Sequence, residues 1–438
     1  MNQFELMKTR RFFPIFGTQF LGAFNDNIYK NSLVIFIAFA LADQTGENSS
    51  ILVIVAAGLF ILPFFLFSAL AGQIADKYEK SMLIQRIKFA EIIIMLLAAC
   101  GFVFLSLPLL MLVLFLMGAQ STLFGPLKYG ILPQHLQENE LIGGNGMIQM
   151  GTYLAILLGT ILGGILVAIK PDGRYFVSLL VIIVACLGWL ISRQIPQAVP
   201  ADAGLKIRWN LFVETIRIIR FARENMTVFW AIIAISWFWF YGATFLSLIP
   251  SYTRDVLFGN EKITTILLTA FSIGIGTGSL MCEKISRRRI ETGLVPIGAA
   301  GLTLFAVDLF IVGIPGNNQN GMTVAMFLHH FENWRVLIDL SLIGFFGGIY
   351  IVPLYALIQN LSNESHRSRI IAANNILNAL FMVISALMTI LLFATGTTIP
   401  QMFIIAAVLN VIIVGYVLLQ VPDFMQRVIV VLGLKPQD

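Results

Sequence analysis

Charged residues are scarce in this sequence, at 12% of 438 positions. That is too few to solvate the surface of a soluble globular protein of this length. Cysteine is rarer still: Cys100, Cys186 and Cys282 stand apart, without metal-ligand spacing, and read as packing residues. The four histidines exclude a lipid acyltransferase of the His-x-x-x-x-Asp kind, because the fifth residue after His135, His329, His330 and His366 is Glu140, Trp334, Arg335 and Ile371. Adjacent His329 and His330 have no further spaced ligands and read as an exposed loop pair. No Gly-x-x-x-x-Gly-Lys-Ser/Thr phosphate loop occurs, so ATP drive has no support. An enzyme is not expected, and neither is a cofactor.

What is present is hydrophobic, at 58% of positions, gathered into runs of roughly 20 residues, the length a helix needs to cross a bilayer. Spans are expected at about 12–42, 51–75, 81–105, 108–127, 141–169, 175–195, 226–254, 262–284, 290–314, 336–358, 369–394 and 399–421. The basic start (Lys8, Arg10, Arg11) leads into an apolar stretch longer than that of a signal peptide, so the first helix should act as its own insertion signal. Alternating the loops puts 22 of the 28 Lys and Arg on the side of the N-terminus and 5 on the other, with Lys30 inside the first span. The positive-inside rule then makes both termini cytoplasmic. The formal charge of +5 fits loops that meet anionic head groups, and nucleic acid is not an expected partner.

The longest polar connection, after the sixth span, runs through Pro196, Pro200 and Gly204 into Lys206 to Glu224. There Ile207, Leu211, Ile218 and Phe221 alternate with Arg217, Arg220 and Arg223 at helical spacing, which predicts an amphipathic helix on the cytoplasmic surface. The chain thus divides into a six-helix bundle at 1–195, a linker at 196–225 and a second six-helix bundle at 226–438. Internal similarity supports duplication: Pro126-Leu127-Lys128-Tyr129-Gly130-Ile131-Leu132-Pro133-Gln134 is echoed by Pro353-Leu354-Tyr355-Ala356-Leu357-Ile358-Gln359. Each stretch is followed by a small-small-Asn step, Gly143-Gly144-Asn145 and Ala372-Ala373-Asn374. A 6+6 arrangement around a central cavity is expected.

After the second span, Gly72-Gln73-Ile74-Ala75-Asp76-Lys77-Tyr78-Glu79-Lys80 resembles the major facilitator signature Gly-x-x-x-Asp-x-x-Gly-Arg, with Glu79 in place of the second glycine and Lys80 in place of the arginine. Gly72, Asp76 and Lys80 are therefore gate candidates: Gly72 for close helix approach, Asp76 as an acceptor at a helix N-terminus. Phe20-Leu21-Gly22-Ala23-Phe24-Asn25-Asp26-Asn27, Pro126-Leu127-Lys128-Tyr129-Gly130-Ile131-Leu132 and Gly347-Gly348-Ile349-Tyr350-Ile351-Val352-Pro353-Leu354 are similar to the lysophospholipid transporter family of that superfamily. The resemblance implies an all-α membrane protein of the major facilitator fold that moves lysophospholipids, such as lysophosphatidylethanolamine, from the outer to the inner leaflet of a bacterial inner membrane. It also implies functional coupling to a lysophospholipid acyltransferase/acyl-carrier-protein synthetase that reacylates them. The family's intramembrane aspartate falls on Asp26 and its lysine on Lys128; a basic residue expected in the seventh helix has no counterpart, Arg254 lying near the outer end.

Read as residues, Asp26 sits deep in the first span with Lys30 four positions on, flanked by Asn25, Asn27 and Asn31. The two charges either neutralise each other or engage a charged head group. Glu91 and Asp308, inside the third and ninth spans, are either paired carboxylates or proton or cation sites. Asn145, Gln149 and Thr152 share one helix face and Asn374 and Asn378 another, where they can bond glycerol hydroxyls or neighbouring helices. Trp237, Trp239 and Tyr241, followed by Gly242, suggest core packing or aromatic walls around a flexible middle of the seventh span. The expected mechanism is alternating access, with the head group passing beside Asp26 and Lys30 while the acyl chain protrudes laterally. The alternatives are a major facilitator carrier of a small solute or drug, and a noncatalytic membrane receptor or scaffold.

Overall fold

In the computed structural model, which describes residues 2–37, 49–312 and 322–431, apolar runs become helices because a chain without water must satisfy its backbone internally. Twelve long helices are described: α1 Phe13–Phe36, α2 Ser49–Lys77, α3 Lys80–Val103, α4 Leu107–His135, α5 Glu138–Val167, α6 Gly173–Ser192, α7 Met226–Ser251, α8 Glu261–Ile285, α9 Leu294–Val312, α10 Phe331–Leu361, α11 Arg367–Ala394 and α12 Ile399–Gln420. They fall on the twelve expected spans; the outer ends of the first and ninth, past residues 37 and 312, lie outside the described residues. Ten are long and apolar enough to cross a membrane. The other two, α1 and α3, are diluted by interior charges: Asp26 and Lys30 in one, Arg86, Lys88 and Glu91 in the other. These exceptions mark the polar interior described below.

The described residues group into two compact units. One gathers those within Met1–Gln137, Leu154–Asn225 and Ser362–Ile376; the other those within Glu138–Tyr153, Met226–Leu361 and Leu377–Asp438. This differs from simple cuts at 195 and 225. The linker groups with the first unit, and each half of the sequence lends the other a stretch at the start of a helix, from α5 and from α11. Side-chain bonds join both stretches to the unit they group with: Asn145 of α5 exchanges amide hydrogen bonds with Gln359 of α10, and the first turn of α11 is held by Asp76 of α2.

The first unit packs around Ile28, Tyr29, Met95, Phe102, Leu114, Val181 and their neighbours, with the Tyr29 hydroxyl donating to the Leu110 carbonyl at 2.7 Å. In the second unit, α7 runs unbroken through Gly242. Its aromatic side chains are packed and bonded: Trp237 Nε1 donates to Asn410 Oδ1 at 2.7 Å and the Tyr241 hydroxyl to the Leu302 carbonyl at 2.9 Å.

The linker helix spans Leu211–Arg223, capped by Asn210. Its apolar faces are divided differently from the expected amphipathic pattern. Ile218 packs inward against Ala69, Ala372, Ala373 and Ile376, whereas Trp209, Phe212 and Ile216 lie exposed. Sequence spacing showed an apolar stripe but not that protein already covers part of it.

Candidate functional site

The first unit contains a cluster of five charged side chains inside its helices. Asp26 lies 13 residues past the start of α1, or about 20 Å along it; Glu91 lies about 16 Å into α3, and Lys128 about 10 Å before the end of α4. Glu91 is fully engaged. Its carboxylate accepts from Lys88 Nζ at 2.6 Å, from Gln120 Nε2 at 2.9 Å and from Asn25 Nδ2 at 3.0 Å. Gly22 lies opposite, where a Cβ would come within 2.3 Å of the Lys88 ammonium at the end of its flexible side chain. Lys88 also lies over the Phe124 ring, 4.8 Å from its centroid.

Asp26 and Lys30 do not join as a direct ion pair, contrary to what their i, i+4 spacing suggested. Asp26 accepts from the Ser121 hydroxyl at 3.0 Å, and Lys30 Nζ stands 4.4 Å above the Phe60 ring. Lys128 stands 4.5 Å above the Tyr129 ring, within electrostatic range of Lys88 and Asp26. Among the described residues neither Lys30 nor Lys128 has a carboxylate within 4.0 Å. The cluster thus holds three lysines against two carboxylates, with Asp26 and Lys30 half-buried and Lys88 and Glu91 buried. Ser121 and Gln120 join its two carboxylates, since the Ser121 hydroxyl lies 3.3 Å from Gln120 Oε1. Sequence reading missed Lys88, Gln120 and Ser121. Lys88 had a signal, a charge three positions from Glu91 inside an otherwise apolar run; the other two are ordinary polar residues until the fold brings α4 to α1 and α3.

The signature segment forms a second constellation. Asp76 is fully buried and accepts from the Ser368 amide at 3.0 Å, the Arg369 amide at 3.3 Å and Arg369 Nε at 2.9 Å, so it caps the first turn of α11. Gly72 lets α2 come close enough: a Cβ there would lie 2.9 Å from both Arg369 Cα and Ala372 Cβ. The Arg369 guanidinium is shared with Asp202 at 3.7 Å and lies over Phe221 of the linker helix. Lys80 is buried beside Gly130, its ammonium without a hydrogen-bond partner. Glu79 explains its own departure from the signature. Its backbone is extended (φ −62°, ψ 125°), a conformation any residue adopts, and its carboxylate caps α3 through Ser81 and Met82 while accepting from the Ala198 amide of the linker at 2.7 Å. Burial works against its charge, but these hydrogen bonds prevail and hold the carboxyl below its ordinary range.

The remaining candidates are dispersed. Asn145 donates to Gln359 Oε1 and to the Leu141 carbonyl and accepts from Gln359 Nε2, a bond between α5 and α10. Asn378 accepts from the Ser236 hydroxyl at 2.9 Å, and Gln149 and Asn374 are buried on α5 and α11. Asp308 is paired with Arg335, Nε to Oδ2 at 2.9 Å. The three cysteines are thiols, and no group of three or more metal-ligating side chains occurs among the described residues.

Residues 15–385 match the family model of the Major Facilitator Superfamily. The lysophospholipid transporter LplT of Escherichia coli O1:K1 is 29% identical over 354 residues, covering 79% of each chain, and that of Escherichia coli strain SE11 is 28% identical over 356 residues with the same coverage. Similar solved structures include the Escherichia coli fucose:proton symporter FucP (TM-score 0.65, 14% identity, 93% of this chain and 97% of that one). Also similar are a bacterial homologue of the iron transporter ferroportin (0.65, 15%, 94% and 99%) and the human organic anion transporter MFSD10 (0.66, 13%, 91% and 98%). The twelve long helices, the charged cluster inside them and a family match over most of the chain lead to one conclusion: this protein belongs to the Major Facilitator Superfamily, a multi-pass membrane transporter and not an enzyme, similar to lysophospholipid transporters.

Proposed function

We propose that the protein moves lysophospholipids from the outer to the inner leaflet of a bacterial inner membrane by alternating access, for reacylation by a lysophospholipid acyltransferase. The observation that carries this reading is the excess of lysines over carboxylates inside the first unit, with Lys30 and Lys128 held over aromatic rings and not neutralised by an ion pair. A phosphate diester brings one negative charge, which matches that excess, and Asp26 beside it suits the ammonium of an ethanolamine head group. The names of the sequence relatives point to the same substrate class. In this reading Glu91 and Lys88 position the cluster and do not bind, because their bonds are already made within it.

The test is flipping of labelled lysophosphatidylethanolamine by purified protein in proteoliposomes. Sugars, amino acids and a cationic drug serve as competing cargoes. Asp26→Asn with Lys30→Met should fold at wild-type yield and lose most flipping, because the charges that replace head-group hydration are gone. Activity near wild type in that double variant would sink the site assignment, and transport of a small solute in place of the lysolipid would overturn the function.

A further inference from the structure

Trp209, Phe212, Ile216, Arg220 and Arg223 follow one another at spacings of three and four residues, so they form one stripe along the linker helix and the residues just before it. All five are exposed, Trp209 at 73%, Phe212 at 85% and Ile216 at 63%. Such a row of large apolar side chains is unfavourable in water. The opposite face is covered: Ile218 and Ala222 are buried, and Ile218 joins Ala69 of α2 and Ala372, Ala373 and Ile376 of α11.

That cluster fixes the level of the helix. Ala69 lies eight residues before the end of α2, and Ala372 and Ile376 five and nine residues into α11, so the contact is about 8–14 Å inside the ends of both helices. At 29 and 28 residues these helices are about 42–44 Å long, against a hydrocarbon core of roughly 30 Å, so their ends stand in the head-group layer and the contact lies near its inner boundary. The linker reaches this level by climbing α2. The Asp202 amide donates to the Asp76 carbonyl at 2.9 Å, and three residues deeper on α2 the Arg208 amide donates to Gln73 Oε1 at 2.9 Å. The helix therefore lies on the flank of α2 and the start of α11, with its exposed stripe turned away from them at the level of lipid.

We propose that this stripe binds acidic phospholipid of the leaflet that faces the termini, and that the bound lipid holds the linker against α2 and α11 and so favours the state in which Asp76 caps α11. The charges fit an anionic surface. Lys206, Arg208, Arg220 and Arg223 are exposed, whereas Glu214 is buried against Arg217, so Glu224 is the one exposed carboxylate between residues 206 and 224. The apolar anchors come first and the arginines after them: Trp209, Phe212 and Ile216 enter the acyl boundary while Arg220 and Arg223 reach lipid phosphates. A second copy of this basic face would repel the first, and a soluble partner does not reach this level. Transmission to Asp76 is short. Phe221, next to Arg220, lies under the Arg369 guanidinium, 5.2 Å from ring centroid to cation, and Arg369 Nε donates to Asp76 at 2.9 Å. A lipid that binds only the docked linker raises the docked population by mass action.

The test needs no cargo, so its failure would leave the transport reading untouched. Full-length protein freed of its three cysteines carries a nitroxide at Val213→Cys, beside the stripe, and is reconstituted into vesicles of phosphatidylcholine with or without phosphatidylglycerol. In the acidic vesicles, collisions of the label with oxygen should exceed those with a water-soluble nickel chelate. A label open to the chelate there would overturn the proposal, and spin–spin broadening between labels on two copies would overturn it by making the face a contact between copies. With labels instead at the end of α2 and the start of α11, phosphatidylglycerol should raise the ratio of short to long distances about fivefold, the effect of roughly one basic side chain at an anionic surface. Arg220→Gln with Arg223→Gln, both at exposed positions, should fold and erase that rise. Distances unchanged by phosphatidylglycerol in the wild-type sequence would refute the link to Asp76, and a full rise in the double variant would refute the arginines as lipid ligands.

Discussion

The Lys88 ammonium occupies space that Gly22 leaves open, and it is there because Glu91 one turn away needs a counter-charge where water is absent. Three donors from three helices meet that one carboxylate, so the network ties α1 and α4 to α3. Removing one member of a buried pair leaves the other charge uncompensated, a loss on the order of 3–5 kcal/mol. Lys88→Met should therefore lower the thermal unfolding temperature of the detergent-purified protein markedly. Lys88→Met combined with Glu91→Gln should recover most of the loss, because the amide still accepts from Asn25 or Gln120. A single variant as stable as the wild type would show that Glu91 is not held as an ion. Asp26 and Lys30 differ from this pair at the level of single side chains: among the described residues Asp26 accepts from Ser121 and Lys30 stands over Phe60, and neither is paired with an opposite charge within 4.0 Å.

Between helices, the most specific contact is that of Asp76 with the first turn of α11, where unpaired amides and the helix dipole both favour an anion. Gly72 sets the distance, and Arg369 adds a charged donor that is itself held by Asp202 and Phe221 of the linker. The linker is thus part of the contact and no passive tether. Asp76→Asn keeps an acceptor but loses the charge, which should weaken the contact by about 1 kcal/mol, a roughly fivefold shift in favour of conformations in which it is broken. Spin-label distances between the C-terminal end of α2 and the N-terminal end of α11 would report this, and an unchanged distribution would count against a latch. Glu79 shows how a departure from a family signature can be compatible with the same local structure: the turn needs no positive φ, and the carboxylate gains a cap and a hold on Ala198.

For the molecule as a whole, the positive-inside rule predicts, from the surplus of Lys and Arg on one set of loops, that both termini lie in the cytoplasm. In a variant freed of Cys100, Cys186 and Cys282, Thr397→Cys between α11 and α12 should react with an impermeant maleimide in intact spheroplasts, and Gln426→Cys beyond α12 only after permeabilisation. The reverse pattern would invert the topology. The sequence by itself determined the helical class, the number and position of the long helices and the presence of charges in α1, α3 and α9, because hydrophobic length and an intramembrane charge are local properties that any fold must accommodate. It also offered Asp76 as an acceptor for a helix N-terminus, though not which one, since Ser368 lies 292 residues away. Only the tertiary structure decided that Asp26 turns to Ser121 and not to Lys30, that Asn145 is consumed by Gln359, that Ile218 faces protein while Phe212 does not, and that Arg335 pairs with Asp308. The physical reason is the same in each case: a polar group buried away from water must find its partner among whatever helices pack beside it, and helix neighbours are fixed by three-dimensional packing, not by distance along the chain.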